Sequence, residues 1–185
     1  TPQHQTAITS AAMLTCSDPW MNLLRTTVAA FAAGTSGANA VTSRPFDTPL
    51  GQPDEFGQRL ARNTQLLLTE ESGLGKVIDP GGGSWYLENL TKKLSEESWK
   101  RFQSIEAEGG MEVALANGKI LSEIENTWEV RKGRLKSGEA SLIGVNIYPN
   151  SDEKPLTRPL SPRSPNGPFK LRRWSELFEE SGNKS

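Results

Sequence analysis

Arg62-Asn63-Thr64-Gln65-Leu66-Leu67-Leu68-Thr69-Glu70-Glu71-Ser72-Gly73 runs on through Leu74 and Gly75 into Lys76-Val77-Ile78-Asp79-Pro80-Gly81-Gly82-Gly83-Ser84-Trp85. The pattern predicts a helix, a short turn, a buried strand, and a glycine-rich turn into a second helix. Leu60 and Leu67, with Asn63 and Thr64 between them, mark one helical face. Gly73 and Gly75 stop that helix, because glycine takes the left-handed conformation a C-terminal cap needs. Val77 and Ile78 make a short apolar strand that Pro80 ends. Ser84 is a good N-cap for the following helix. A helix, strand, helix rhythm of this kind belongs to a parallel α/β sheet.

Working outward, residues 4–15 read as one extended segment, with Ile8, Met13 and Leu14 apolar. Asp18 and Pro19 start a helix reaching about Ala33, proline suiting the first helical position. Leu24, Val28 and Phe31 share one face of it, and its alanines suit close packing on a sheet. Gly34 to Gly37 ends it. Ala38 to Arg44 is the next strand, Pro45 to Pro53 a loop, and Asp54 to Ser72 the helix already described. Beyond Ser84, Leu87, Leu90 and Leu94 form a stripe that Trp99 and Phe102 extend. Gly109-Gly110 breaks the helix, Met111 to Ala116 is a short one, and Asn117-Gly118 turns. The next helix carries Leu121, Ile124 and Trp128 on its expected buried face, with Lys132, Arg134 and Lys136 near its C-terminus, where the dipole favours cations. Leu142 to Ile147 reads as a final strand. Four strands with helices between them result.

Residues 151–185 differ in character. Five prolines fall between Pro155 and Pro168, so this stretch is an extended linker or strap without a core of its own. Trp174, Leu177 and Phe178 form a small amphipathic cluster of one or two helical turns. The domain division expected is therefore 1–150 and 151–185.

A chain of 185 residues is long enough to bury a core. Its net charge of -1 gives no global attraction to nucleic acid or an anionic membrane surface. Cys16 is the single cysteine, which excludes an internal disulfide and fits a reducing compartment, here the cytoplasm. No apolar run reaches the roughly 18 residues of a membrane span. The chain opens at Thr1 without a signal peptide, and the expectation is a segment of a longer protein.

Chemistry-bearing residues are few. Gly81-Gly82-Gly83-Ser84, before a helix N-terminus, offers amides to a phosphate, but Tyr86 stands where a dinucleotide fingerprint has its third glycine and there is no Walker lysine. A tight turn is the plainer reading. Glu70 and Glu71 are adjacent on a helix, point apart, and make a poor acid–base pair. His4 is the only histidine, so histidine triads and histidine metal sites are incomplete, and one cysteine builds no thiolate zinc site. Lys92-Lys93 and Lys170 to Arg173 are basic clusters beside acidic residues, as on a solvated face. Asn39, Thr42 and Arg44 lie on a predicted strand.

The opening stretch resembles the barrel domain of the methylmalonyl-coenzyme A mutase family in its Arg-Asn-Thr-Gln, Glu-Glu-Ser-Gly, Val-Ile-Asp-Pro and Gly-Gly-Ser-aromatic strings. So do Asp18-Pro19-Trp20-Met21-Asn22-Leu23-Leu24-Arg25-Thr26, Arg44-Pro45-Phe46-Asp47, Ile105-Glu106-Ala107-Glu108-Gly109-Gly110-Met111 and Leu142-Ile143-Gly144-Val145-Asn146, in the family's order. The resemblance implies an α/β fold, the C-terminal half of a TIM (β/α)8 barrel with a Pro-rich C-terminal extension, since a full barrel takes about 250 residues. It implies two open sheet edges. It also implies the isomerisation of methylmalonyl-coenzyme A and succinyl-coenzyme A with adenosylcobalamin.

Departures from the family's active pattern are informative. Catalytic chains carry Arg-Thr-His-x-Gln-Thr-Ser where this chain has His4-Gln5-Thr6-Ala7-Ile8-Thr9-Ser10, and Gly-His-Thr-Gln-Ser-Leu-His where it has Ser36-Gly37-Ala38-Asn39-Ala40-Val41-Thr42. The cobalt-ligating Asp-x-His-x-x-Gly motif is missing from this chain. These losses are more similar to the small, non-catalytic subunit of the heterodimeric mutase. On that reading the partner is a large catalytic subunit, adenosylcobalamin and the acyl-CoA substrate belong to the assembled enzyme, and this segment binds no cofactor alone. No catalytic residue or metal ligand is assigned. Because carboxyl ends of barrel strands form the active mouth, the substrate- or cofactor-facing candidates are Ser10, Asn39, Thr42, Arg44 and Glu70. The competing reading is a fragment of a catalytic acyl-CoA mutase of altered specificity. A phosphate-binding half-barrel resting on the Gly81 turn is the third.

Overall fold

A computed structural model describes residues 3–159 and 172–182. The described chain mixes helices with a small parallel sheet and divides into two compact units, Thr1–Pro80 with Leu135–Ser185, and Gly81–Arg134. The division at residue 150 expected from composition does not coincide with this boundary. The prolines at 162, 165 and 168, and Lys170 and Leu171 of the basic cluster 170–173, lie outside the described residues.

The first unit is built on a strand–helix–strand crossover. β1 (Thr6–Ile8) and β2 (Ala40–Thr42) pair in parallel, with Thr6 opposite Ala40, Ala7 opposite Val41 and Ile8 opposite Thr42. Parallel strands cannot be joined by a tight turn, and α1 (Met21–Thr35) supplies the crossover. The helix expected from Asp18 thus forms, but with a different face inward. Asn22, Thr26 and Ala30 are its buried residues, whereas Leu24, Val28 and Phe31 are 59%, 67% and 48% exposed. Small and polar side chains let α1 approach the strands closely. Its larger apolar side chains find nothing to pack on in a sheet of two strands.

α2 (Glu55–Leu66) follows, capped by Asp54, whose carboxylate accepts from the Gly57 amide at 2.7 Å. It continues through one wider, π-helical turn, Leu67–Glu71. Leu74 then packs against Gly34 at the end of α1.

Two of the four expected strands do not form. Val77 and Ile78 lie between Gly75 (φ +97°) and Asp79 (φ +50°), and positive φ on both sides prevents an extended run. Ile78 is 96% exposed. Residues 142–147 close into a loop instead. The Leu142 amide donates to Asn146 Oδ1 at 2.7 Å, and Gly144 N–H to the Ile147 carbonyl at 2.8 Å. Asn146 Nδ2 donates to the carbonyls of Ala140 and Leu135. Backbone groups engaged locally in this way are not free to extend a ladder.

The core of this unit is small: Leu14, Ala30, Phe46, Leu68, Leu135 and Leu142 are buried, and Trp20 stacks on Phe46 at 4.8 Å between ring centroids. The C-terminal part docks here too. α6 (Glu176–Gly182) carries Leu177 and Phe178, while Trp174 lies in the turn before it; Ser175 is fully buried and the Trp174 amide donates to the Ala12 carbonyl at 2.9 Å.

The second unit contains α3 (Trp85–Ala107), α4 (Gly110–Ala116) and most of α5 (Lys119–Lys136). Ser84 caps α3 as expected, and Gly109 and Gly110, at φ +104° and +88°, make the break before α4. Leu87, Leu90 and Leu94 recur at helical spacing on α3, and Trp99 stacks on Phe102, but all five are exposed, as are Leu121 and Ile124 on α5. The expectation of a buried α5 face is corrected: within this unit Ala114 is the buried apolar residue.

Candidate functional site

In parallel sheets the loops at the carboxyl ends of the strands are the usual place for chemistry. Here those loops are 9–20 after β1 and 43–54 after β2. They are bound to each other by side-chain hydrogen bonds. Thr9 Oγ1 accepts from the Arg44 amide at 2.8 Å, and the Thr9 carbonyl accepts from Arg44 Nε at 3.0 Å. Asn22, completely buried at the start of α1, accepts from the Thr15 amide and donates to the carbonyls of Thr15 and Phe46, both at 2.9 Å. Arg25 adds bonds to Thr15 Oγ1, Asn22 Oδ1 and the Ile143 carbonyl. Burial lowers its pKa, and the nearby Asp18 carboxylate works the other way.

Beside this network lies an open cleft of about 340 Å³ between the end of β2 and α2. Thr42, Ser43, Pro45, Gln58, Arg62 and Gln65 line it. Gln65 Nε2 donates to Ser43 Oγ at 2.8 Å, which fixes the helix on the strand end. Arg62 is exposed and pairs with no carboxylate among the described residues. The cleft offers one cation, two carboxamides and two hydroxyls. It can hold an anionic or hydrogen-bonding group, but it contains no nucleophile–base pair and no acid.

The five sequence-derived candidates are not brought together. Thr42 lies at the carboxyl end of β2 and lines the cleft. Arg44 sits next to it but turns back onto Thr9. Ser10 caps a short 3-10 turn, Ala11–Met13, by accepting from the Ala12 amide. Asn39 is at the opposite end of the strands, where its Oδ1 accepts from the Gln5 amide at 2.8 Å and its own amide donates to the Gln5 carbonyl. Glu70 lies exposed on the π-helical turn, as does Glu71. Arg62 and Gln65 were in the stretch that decided the fold but not among its candidates. Their spacing of three on a helix that follows β2 is the signal that places both on one side.

The glycine turn is already capped. The Gly83 amide donates to Glu88 Oε1 at 3.3 Å, and Ser84 Oγ accepts from Leu87 N–H. A phosphate there would meet the Glu88 carboxylate. His4 is exposed near the start of the described residues. Among the described residues no cluster of three His, Cys, Asp or Glu could hold a metal ion, and no helix is long and apolar enough to cross a membrane.

A cobalamin would need donors at the strand ends for its amide periphery and an imidazole for cobalt. The polar groups of Thr9, Thr15, Asn22 and Arg44 are engaged with one another, and the lone imidazole precedes β1 rather than following a strand end. The residues present do not fit that group.

Cys16 sits where the C-terminal helix docks. Its amide donates to Glu179 Oε1 at 2.7 Å, and Arg173 pairs with Glu179 at 2.7 Å. Burial, reinforced by the Glu179 carboxylate, pushes the Cys16 thiol up to about 11. Burial also opposes ionisation of Glu179, but hydrogen bonds from Ser175 and the Cys16 amide, with the charge of Arg173, outweigh it and hold that carboxyl below its usual range.

A family profile described as methylmalonyl-CoA mutase matches residues 3–165. A methylmalonyl-CoA mutase small subunit from Streptomyces virginiae is 45% identical over 183 residues, covering 99% of this chain and 30% of that protein. A probable methylmalonyl-CoA mutase small subunit from Mycobacterium bovis is 42% identical over 184 residues, covering 97% of this chain and 29% of that one. A methylmalonyl-CoA mutase from Cereibacter sphaeroides is 38% identical over 148 residues, covering 80% of this chain and 21% of that one. The chain therefore spans about 30% of the length of the curated small subunits it matches.

Proposed function

The chain belongs to the methylmalonyl-CoA mutase family, and on that premise we propose that it is the non-catalytic part of a small subunit supporting a large catalytic chain. The assembled enzyme would interconvert methylmalonyl-CoA and succinyl-CoA with adenosylcobalamin bound by the partner, in the cytoplasm. One observation carries this reading. Polar side chains at the carboxyl ends of β1 and β2 bond to backbone groups across the two loops: Thr9 Oγ1 accepts from the Arg44 amide, Arg44 Nε donates to the Thr9 carbonyl, and Asn22 donates to the Phe46 carbonyl. They brace a scaffold: Thr9, Asn22 and Arg44 are engaged in holding the two loops together.

The β1–α1–β2 crossover is, in this proposal, one βα unit of a TIM barrel whose other strands complete the sheet. Parallel sheets occur almost always with both faces covered. Here Ile8 of β1 is 57% exposed, and the larger side chains of α1 stand open. Further strands at the free edges would bury them. Thr42, Arg62 and Gln65 are the proposed contacts toward an acyl-CoA held by the complex. Ser10 and Arg44 then act as supports, and Asn39 and Glu70 are the weakest of the site residues.

The second reading is a fragment of a catalytic acyl-CoA mutase, and the match to the protein from Cereibacter sphaeroides favours it. Against it, the small subunits from Streptomyces virginiae and Mycobacterium bovis match a larger share of this chain, 99% and 97% against 80%. Co-expression of the tagged full-length protein with a large methylmalonyl-CoA mutase subunit separates the two. Co-purification, with turnover only when the large subunit is present, supports the scaffold role. Turnover by the tagged protein alone overturns it.

A further inference from the structure

The segment 153–159 crosses the ends of both mouth-side loops. Glu153 Oε1 accepts from the Asp18 amide at 2.8 Å, on the turn that precedes α1. The Pro159 carbonyl accepts from the Gln52 amide at 2.7 Å. Between these points Arg158 reaches inward, its side chain only 10% exposed. Its Nε pairs with Asp47 Oδ2 at 2.6 Å and its NH2 with Asp54 Oδ2 at 2.8 Å. Asp47 is wholly buried, and its Oδ1 has no hydrogen-bond partner among the described residues. Asp54 is the residue that caps α2.

We propose that 153–159 is a latch, pinned by Arg158, that holds the loop after β2 against the N-terminus of α2 and so sets the shape of the cleft between them. The electrostatics give the latch its leverage. Two carboxylates, one of them out of water, converge on the start of one helix. The helix dipole favours them there, but their mutual repulsion and the desolvation of Asp47 need a cation close by. Arg158 supplies it with a fork that a lysine cannot reproduce. When the strap leaves, Asp47 is a buried, uncompensated charge, and the inexpensive response is for the loop 44–54 to swing toward water. That movement takes Pro45 and the first turn of α2 with it, and both border the cleft. The latch does not depend on the mutase reading, because its evidence is the strap, the two aspartates and α2.

Amide hydrogen exchange on the full-length protein tests it, comparing Arg158→Ala, Arg158→Lys, Asp47→Asn/Arg158→Ala and, as a control on the exposed side of the strap, Lys154→Ala. With Arg158→Ala, exchange in 46–58 should rise about tenfold or more while α1 stays as in the parent protein. Arg158→Lys should fall between, and Lys154→Ala should match the parent. Neutralising Asp47 in the double variant should slow exchange again relative to Arg158→Ala. If Arg158→Ala proves unfolded, the lysine variant and the double variant carry the same comparison. Unchanged exchange in 46–58, an equal rise in α1, or a double variant no better than Arg158→Ala would each overturn the latch. Mutase turnover is not read, so failure here is distinct from failure of the scaffold role.

Discussion

The carboxamide of Asn22, at the start of α1, donates to the backbone carbonyl of Phe46, 2.9 Å away on the loop after β2. The same side chain also bonds to both backbone groups of Thr15 on the loop after β1. One buried asparagine thus satisfies three main-chain groups on two loops. Asn22→Ala leaves those groups without partners in a site closed to water, at a cost of about 3 kcal/mol. Urea unfolding should show a lower midpoint at unchanged slope. A midpoint equal to that of the parent protein would mean water reaches the site.

Gly57 is packed hard against Asp47. A methyl group there would stand 2.3 Å from Asp47 Oδ1, although the backbone of α2 itself tolerates alanine. Gly57→Ala should therefore destabilise by about 1–3 kcal/mol, against the usual gain from removing a helical glycine. A thermal midpoint above that of the parent protein would contradict the packing.

On α1 the exposed residues are the large apolar ones. Val28→Ser should change the stability of the chain by no more than about 0.5 kcal/mol, because Val28 is 67% exposed. Ala30→Leu, at a position 1% exposed, should cost about 1–3 kcal/mol through overpacking. Denaturation of the two variants side by side checks both. Hydrophobicity alone ranks them the other way.

Cys16 keeps its proton well above the ordinary thiol value of 9.0, up to about 11, because of burial and the Glu179 carboxylate. The unfolded chain releases that proton first as pH rises past 9. The folded state then holds more protons, and its stability falls with rising pH between about 9 and 11. Iodoacetamide at pH 8 should label Cys16 far more slowly in the folded protein than in urea. Glu179→Gln removes the like charge and should shift the labelling profile to lower pH. Equal rates in folded and unfolded protein would refute the assignment.

How far the sequence could be read depended on where each element finds its partners. Helices forming their own hydrogen bonds were legible, with Ser84 as a cap and Gly109-Gly110 as the break. β1 and β2 were legible because the helix between them lets them pair. Val77-Ile78 and Leu142 to Ile147 were apolar enough for strands, but a strand needs a neighbour, and positive φ and the Asn146 side chain decided otherwise. Leu24, Val28 and Phe31 misled for a related reason: periodicity identifies an apolar face without saying what covers it. Of the site, Thr42 could be placed from its strand end. Arg62 and Gln65 needed α2 to be set beside β2 before they could be seen as one wall. The Asp47–Arg158 pair joins residues 111 positions apart, beyond the reach of local pattern.

That separation bears on synthesis. Arg158 follows Asp47 by 111 residues, and Glu179 follows Cys16 by 163. Contacts that bridge so much chain form late, after shorter-range helices and the β1–β2 crossover. On the ribosome, the loops after β1 and β2 emerge early and must wait for residues 153–179 before their buried charges and amides are matched. Through that interval the nascent chain carries these loops with their buried charges and amides unmatched.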